Sequence, residues 1–238
     1  MTPPPAPPGR SKAPLIIGII CAVTAVAAFV IGGIGVVAYL VIRNAEPDAP
    51  TASGPAPSTD AAVLETDHLH FGTDSAASPE VELYIDFACP HCADFAEIND
   101  PDLRQLSEDG MVNLKIRPLP MLNASSAGYS ERAASAATCM YAQDPALFWD
   151  MSEALFAQQA EGPSLTSEDL ADLAEGLGAD EDTAACIAAD TYTGWVNDTV
   201  YPPALERISG TPSVYLDGEQ WTGDYTVPGE LHLAIVGE

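Results

Sequence analysis

A chain of 238 residues has room for one domain with appendages, or two domains at most. Its 35 acidic residues outnumber 8 basic ones, for a formal net charge of -27 at pH 7; all the acid lies after Arg43, where only Arg104, Lys115, Arg117, Arg132 and Arg207 answer it. Such a field disfavours binding to nucleic acid or to anionic lipid, and suits solubility in a salty or acid-rich exterior or attraction of basic unfolded polypeptides.

The chain opens with a Pro-rich tail (1–13) whose only charges are Arg10 and Lys12. Within the expected membrane span (14–42), Leu15–Ile42 carries no charge over 28 residues. As a helix it would run about 42 Å, against about 30 Å for a hydrocarbon core, so it spans with tilt. It is too long for the apolar core of a cleaved signal peptide, and no small-residue cleavage site follows it. Cys21 lacks a lipoprotein-type approach and reads as a membrane-buried thiol. Two basic residues precede the span and one, Arg43, follows it. That asymmetry places the N-terminus in the cytoplasm and the rest outside. Residues 43–62, rich in Ala, Pro, Ser, Thr and Asp, read as a disordered linker. The folded part is 63–238, enough for one core with a single insertion.

Leu69–Phe71 reads as a short strand, with His68 and His70 alternating on its outer face. Val81–Phe87 is β-prone at most positions and reads as a buried central strand. Cys89-Pro90-His91-Cys92 follows directly. Pro90 marks the first turn of a helix, where a missing N–H costs nothing. Cys89 then sits at the helix N-terminus, where unpaired N–H groups, the dipole and a protonated His91 all favour thiolate. Cys92 lies one turn on, within reach of a disulfide. A strand leading into C-x-x-C at a helix start is a redox signature. Zinc is the rival reading, but a structural site wants four ligands and only His68 and His70 stand nearby. An inert staple is the other. Thiol–disulfide exchange is the reading adopted, with no metal and no cofactor beyond the sulfurs.

The active-site helix runs on to about Ser107, and Val112–Arg117 is the next strand, ended by Pro118 and Pro120. This β-α-β order predicts a crossover and a parallel pair. A helical block follows: Ser126–Ala142, Leu147–Gln159, a helix after the capping box Thr166-Ser167-Glu168-Asp169, Asp180–Ala189 and Gly194–Ile208. Ser213–Leu216 and Glu219–Trp221 read as a hairpin turning at Asp217-Gly218. Leu231–Val236 reads as a closing helix. Cys139 and Cys186 both fall in the block, in apolar surroundings. The sequons at Asn123 and Asn197 carry no argument alone.

A β-α-β half, a helical block and a β-β-α half make an α/β chain that resembles a thioredoxin fold with an α-helical insertion (about 124–207). The CPHC tetrad after Asp86-Phe87-Ala88, the insertion with its two cysteines, and Ile208-Ser209-Gly210-Thr211-Pro212-Ser213 together resemble the DsbA-like thiol–disulfide oxidoreductases of the actinobacterial, membrane-anchored type. The resemblance covers about 69–238. It implies that Cys89 is the nucleophile, Cys92 the resolving thiol, and that Pro90 and His91 tune the pair toward oxidation. It makes Thr211-Pro212 a cis-proline loop whose backbone pairs with an extended client. It implies a bridge between Cys139 and Cys186, whose closure of about 48 residues contributes roughly 4 kcal/mol in the chain-entropy model; two buried free cysteines are the alternative. Its implied partners are unfolded exported proteins and a membrane reoxidase of the VKOR or DsbB type. A reductase or isomerase of the same fold, or a redox-silent peptide-binding module, stands as the alternative. One departure is plain. The buried acid often found six residues before the first cysteine is here Leu83, and the nearest carboxylate is Asp86, either a proton carrier or a solvated strand end.

Overall fold

The strand that leads to the cysteine pair is the spine of the sheet. β2 (Glu80–Ile85) runs parallel to β3 (Asn113–Pro118), with Leu83 opposite Ile116, and antiparallel to β4 (Ser213–Leu216), with Leu83 opposite Val214. β1 (Leu69–Gly72) adds antiparallel to β3, and β5 (Glu219–Gln220) antiparallel to β4, giving the order β1-β3-β2-β4-β5. Helix α1 (Pro90–Glu108) connects the parallel pair β2 and β3. The computed structural model describes residues 65–162 and 164–237. The expected tail, membrane span and linker lie outside these. Among the described residues no helix is long and apolar enough to cross a membrane.

Between β3 and β4 comes the helical block: α2 (Tyr129–Gln143), α3 (Pro145–Glu161), α4 (Ser167–Gly176), α5 (Glu181–Ala188), α6 (Thr193–Trp195) and α7 (Tyr201–Arg207); α8 (Glu230–Val236) closes the chain. The capping box before α4 forms as the sequence predicts, Thr166 accepting from the Asp169 N–H and Asp169 from the Thr166 N–H. The hairpin turns at Asp217 (φ 48) and Gly218 (φ 84), the two left-handed positions a tight primed turn requires.

The elements depart from the expectation at several points, among them Pro118, which lies within β3 opposite Ile85 rather than ending the strand. The central strand stops at Ile85 rather than Phe87, because the Cys89 N–H bonds back to the Asp86 carbonyl at 2.9 Å and turns the chain. The helix expected over Gly194–Ile208 runs on from Thr193 to Arg207 but widens between α6 and α7 into a π-helical turn at Val196–Val200. Pro202 and Pro203 explain it: neither can donate to a carbonyl one turn back, and the wider turn relieves the clash of their rings with that turn. The helix expected from Ser126 begins at Tyr129, after turns over 121–128.

Aromatic rings tie the block to the sheet. Phe71 of β1 lies 5.1 Å from Tyr141, from Phe148 and from Trp149, and Phe87 lies 5.0 Å from Phe156 of α3. At the end of β1, Gly72 sits at φ 87, and a Cβ there would run into the Val112 carbonyl. The other face of β2 carries a buried ion cluster. Glu82, 4% exposed, accepts from Arg117 at 2.9 Å and Arg207 at 2.7 Å, while Arg117 also reaches Asp67 at 3.0 Å. One carboxylate between two guanidiniums fixes β2, β3 and the end of α7 to one another.

Candidate active site

Four residues after β2 ends, Cys89 takes the N-cap position of α1, with extended backbone (φ -87, ψ 116) and Pro90 at the first helical position. The carbonyl of Cys89 accepts from the Cys92 N–H at 3.0 Å and the Ala93 N–H at 3.2 Å, so the helix starts on the cysteine itself. Both sulfurs are free thiols here. Their surroundings differ, and that difference is the main feature of the site.

Cys92 is fully buried (0% exposed), and the Asp86 backbone N–H reaches its sulfur at 3.5 Å. Burial pushes its thiol well above the usual range. Cys89 goes the other way, to about 6. The largest cause is the Cys92 thiol, which donates to the Cys89 sulfur; burial opposes it, and the Thr211 side chain and the N–H groups of Cys92 and His91 add to it. In the thiol form Cys89 makes no side-chain cap bond, and its S–H donates instead to the Thr211 carbonyl at 3.3 Å.

The peptide bond between Thr211 and Pro212 is cis. This loop meets the pair directly, through the Thr211 carbonyl at Cys89 and through a side chain that favours the thiolate of either cysteine. Pro212 places no N–H near the sulfurs. His91 points outward, its side chain 72% exposed and its ring 3.8 Å from the Asp94 carboxylate. Its contribution to Cys89 comes from its backbone N–H.

Asp86 is not a solvated strand end: it is 0% exposed. Its carboxylate accepts from the Ala88 N–H at 2.8 Å and the Leu122 N–H at 2.7 Å. Burial raises its pKa, and those N–H groups together with Ser130 partly oppose the rise. Asp86 thus clamps the Leu119–Leu122 loop to the turn that carries Cys89, while its own backbone contacts Cys92. Sequence reasoning missed Leu122, Ser130 and Gln159, whose side chain donates to the Phe87 carbonyl at 2.9 Å. Leu122 acts through its backbone, so no residue type could have announced it.

Cys139 and Cys186 are joined by a disulfide between α2 and α5. Both are buried and belong to the block's own packing.

Known proteins share this fold. The family model described as Thioredoxin matches residues 65–229. MdbA, a thiol-disulfide oxidoreductase from Corynebacterium matruchotii, is 28% identical, with a TM-score of 0.62 over 69% of this chain and 87% of that one. The reduced disulfide bond oxidoreductase DsbG of Mycobacterium tuberculosis is 25% identical, with a TM-score of 0.61 over 72% of this chain and 88% of that one. Oxidised DsbA of the same organism gives 25% and 0.60, covering 72% and 93%. A curated relative, the Na(+)/H(+) antiporter NhaA 3 of Salinispora tropica, is 31% identical over 166 residues, which are 69% of this chain but 24% of that protein. The chain thus spans about a quarter of the length of the curated relatives it matches. It belongs to the thioredoxin family, in its DsbA-like thiol–disulfide oxidoreductase branch.

Proposed function

We propose that the chain is a membrane-tethered oxidase that introduces disulfides into exported, unfolded proteins. The observation that carries this reading is the split between the two thiols: Cys89 lowered to about 6 and Cys92 raised by burial. A stabilised Cys89 thiolate stabilises the reduced protein, so the oxidised protein gives up its disulfide readily.

The steps balance as follows. A client thiolate attacks the Cys89 sulfur of the oxidised pair, forming a client–Cys89 disulfide and breaking the Cys89–Cys92 bond. Cys92 leaves as a thiolate and takes up a proton, as its raised pKa demands. Asp86, buried at this turn with a raised pKa, is the proton carrier in this reading. A second client thiolate then attacks the client's own sulfur in the mixed disulfide. Cys89 departs as a thiolate, a good leaving group at neutral pH because it ionises near 6. The client has lost two electrons and the protein has gained them. The loop at Thr211-Pro212 supports the extended client beside Cys89.

The uncharged stretch within 14–42 is the tether in this proposal, with the N-terminus cytoplasmic and residues 63–238 outside. Turnover then needs a membrane reoxidase, of the VKOR or DsbB type, to take the two electrons from Cys89 and Cys92. The test is the reduction potential of this pair, equilibrated against glutathione, with the Cys139–Cys186 bridge followed separately. A value near the roughly -120 mV of strong oxidants supports the oxidase; one near the roughly -270 mV of thioredoxin makes the chain a reductase. If the pair does not exchange at all, a peptide-binding module replaces both.

A further inference from the structure

A groove of about 610 Å³ runs down the side of α1 from the cysteine pair, between that helix and α3. Its lining along α1 begins at Ala93 and Asp94, immediately after Cys92, and extends to Arg104. Eleven residues of helix separate Ala93 from Arg104, about 16 Å, which matches about five residues of extended chain. Trp149 and Phe156 of α3 line it as buried aromatic surface. Asp94, Glu97, Asp100 and Glu153 supply four carboxylates.

Those carboxylates lack cations from the chain itself. The arginine in the groove, Arg104, is held by Glu108 at 2.9 Å and Asp150 at 3.0 Å. Among the described residues, no lysine or arginine pairs with Asp94, Glu97, Asp100 or Glu153, and the exposed His91 ring lies 3.8 Å from Asp94. Asp100 is half-buried, and burial pushes its carboxyl up to about 7, as expected of an acid enclosed without a counter-charge. A separate feature points the same way. Pro101 interrupts the helix ladder, so the Glu97 carbonyl loses its regular N–H donor on the wall of the groove.

We infer that this groove binds the segment of client polypeptide flanking the reactive cysteine, and that it selects a lysine or arginine two to five residues from that cysteine. The spacing follows from the geometry: Asp94 and Asp100 lie about 8 and 16 Å along the helix axis from Cys89, or about two to five residues of extended chain. A basic side chain has an aliphatic stem for the aromatic floor and a donor head for the carboxylates and the freed carbonyl. The inference deepens the proposed function and rests on it.

The test uses the intact chain in detergent, oxidised, and measures its rate of reaction with reduced dithiol peptides. One peptide carries lysines two to five residues from a cysteine, a second has serines there, and a third places the same lysines at least eight residues away. The near-lysine peptide is expected to react about tenfold faster than either, with the gap shrinking as salt is raised. The triple variant Glu97→Gln, Asp100→Asn, Glu153→Gln should lose that gap, turnover of the serine peptide showing that it is folded and redox-active. Asp172→Asn with Glu175→Gln, exposed on α4, should retain the gap. Equal rates for the near- and far-lysine peptides, or a gap that survives the triple variant, overturns the groove and assigns any preference to the overall charge. If no peptide is oxidised at any spacing, it is the oxidase reading that fails.

Discussion

The pH dependence of the reduction potential follows from the split between the two thiols. Below about pH 6 the reduced pair holds both protons, so reduction takes up two electrons and two protons. The potential then falls by about 59 mV per pH unit. Above about 6, Cys89 in the reduced form is a thiolate, one proton is no longer taken up, and the slope halves to about 30 mV. Relative to a pair whose first thiol ionises at 9.0, the reduced state is stabilised about tenfold at pH 7, which is worth about 30 mV. The same linkage makes the reduced fold gain stability as pH rises above about 6, fully above the unfolded thiol's pKa, and lose it as pH falls through 6. Glutathione buffers across the pH range, with the two redox forms separated by alkylation, give the slope. Cys92→Ala probes its cause. It removes the largest contribution to the Cys89 shift, so the ultraviolet absorbance of the thiolate should titrate above 6, toward 9.0. A single steep slope through neutral pH, or a Cys89 titration unmoved by Cys92→Ala, would refute this account of the site.

Two further outcomes are expected. Asp86→Asn keeps an acceptor for one of the Ala88 and Leu122 N–H groups but cannot carry a proton. Release of Cys92 from the oxidised pair by a client thiol should slow by about tenfold or more, with the pH profile flattened, while stability falls by about 1–3 kcal/mol because the other buried N–H loses its acceptor; an unchanged rate in a folded variant would leave Asp86 as a clamp alone. Replacing Cys139 and Cys186 by serine together should cost roughly 4 kcal/mol of stability, read as a lower denaturation midpoint, while the potential of Cys89 and Cys92 stays where it was. A shift in that potential would mean that the bridge is coupled to the site.

Much of the architecture is local in origin and was legible for that reason. A β-prone run, Pro90 at the first helical position and the cysteine spacing specify a strand, a turn and a helix start within twelve residues. The capping box at Thr166 and the Asp217-Gly218 turn do the same for their elements. Other features arise only when distant segments meet. The π-helical turn depends on Pro202 and Pro203 acting on carbonyls one turn earlier, against a helical pattern that runs through them. The groove beside α1 needs α3 to lie alongside, and α3 is joined to it only through the sheet and α2. The lowering of Cys89 draws on Thr211, which lies 122 residues from it in sequence.

The displaced acid is explained by where free donors are. Leu83 is 1% exposed in the middle of β2, and its backbone is engaged on both sides by the ladders to β3 and β4. A carboxylate there would be buried among groups already paired, at the cost of an uncompensated charge. At Asp86 the strand has just ended. The turn into α1 leaves the Ala88 N–H unpaired by the sheet, and the loop after β3 brings the Leu122 N–H alongside, so a carboxylate finds two donors that would otherwise lack partners. The acid and the backbone satisfy each other, and the same residue sets its own N–H against Cys92. Moving the carboxylate three residues toward the cysteines therefore ties the turn that presents Cys89 to the loop behind it, a link that an acid at position 83 would not make.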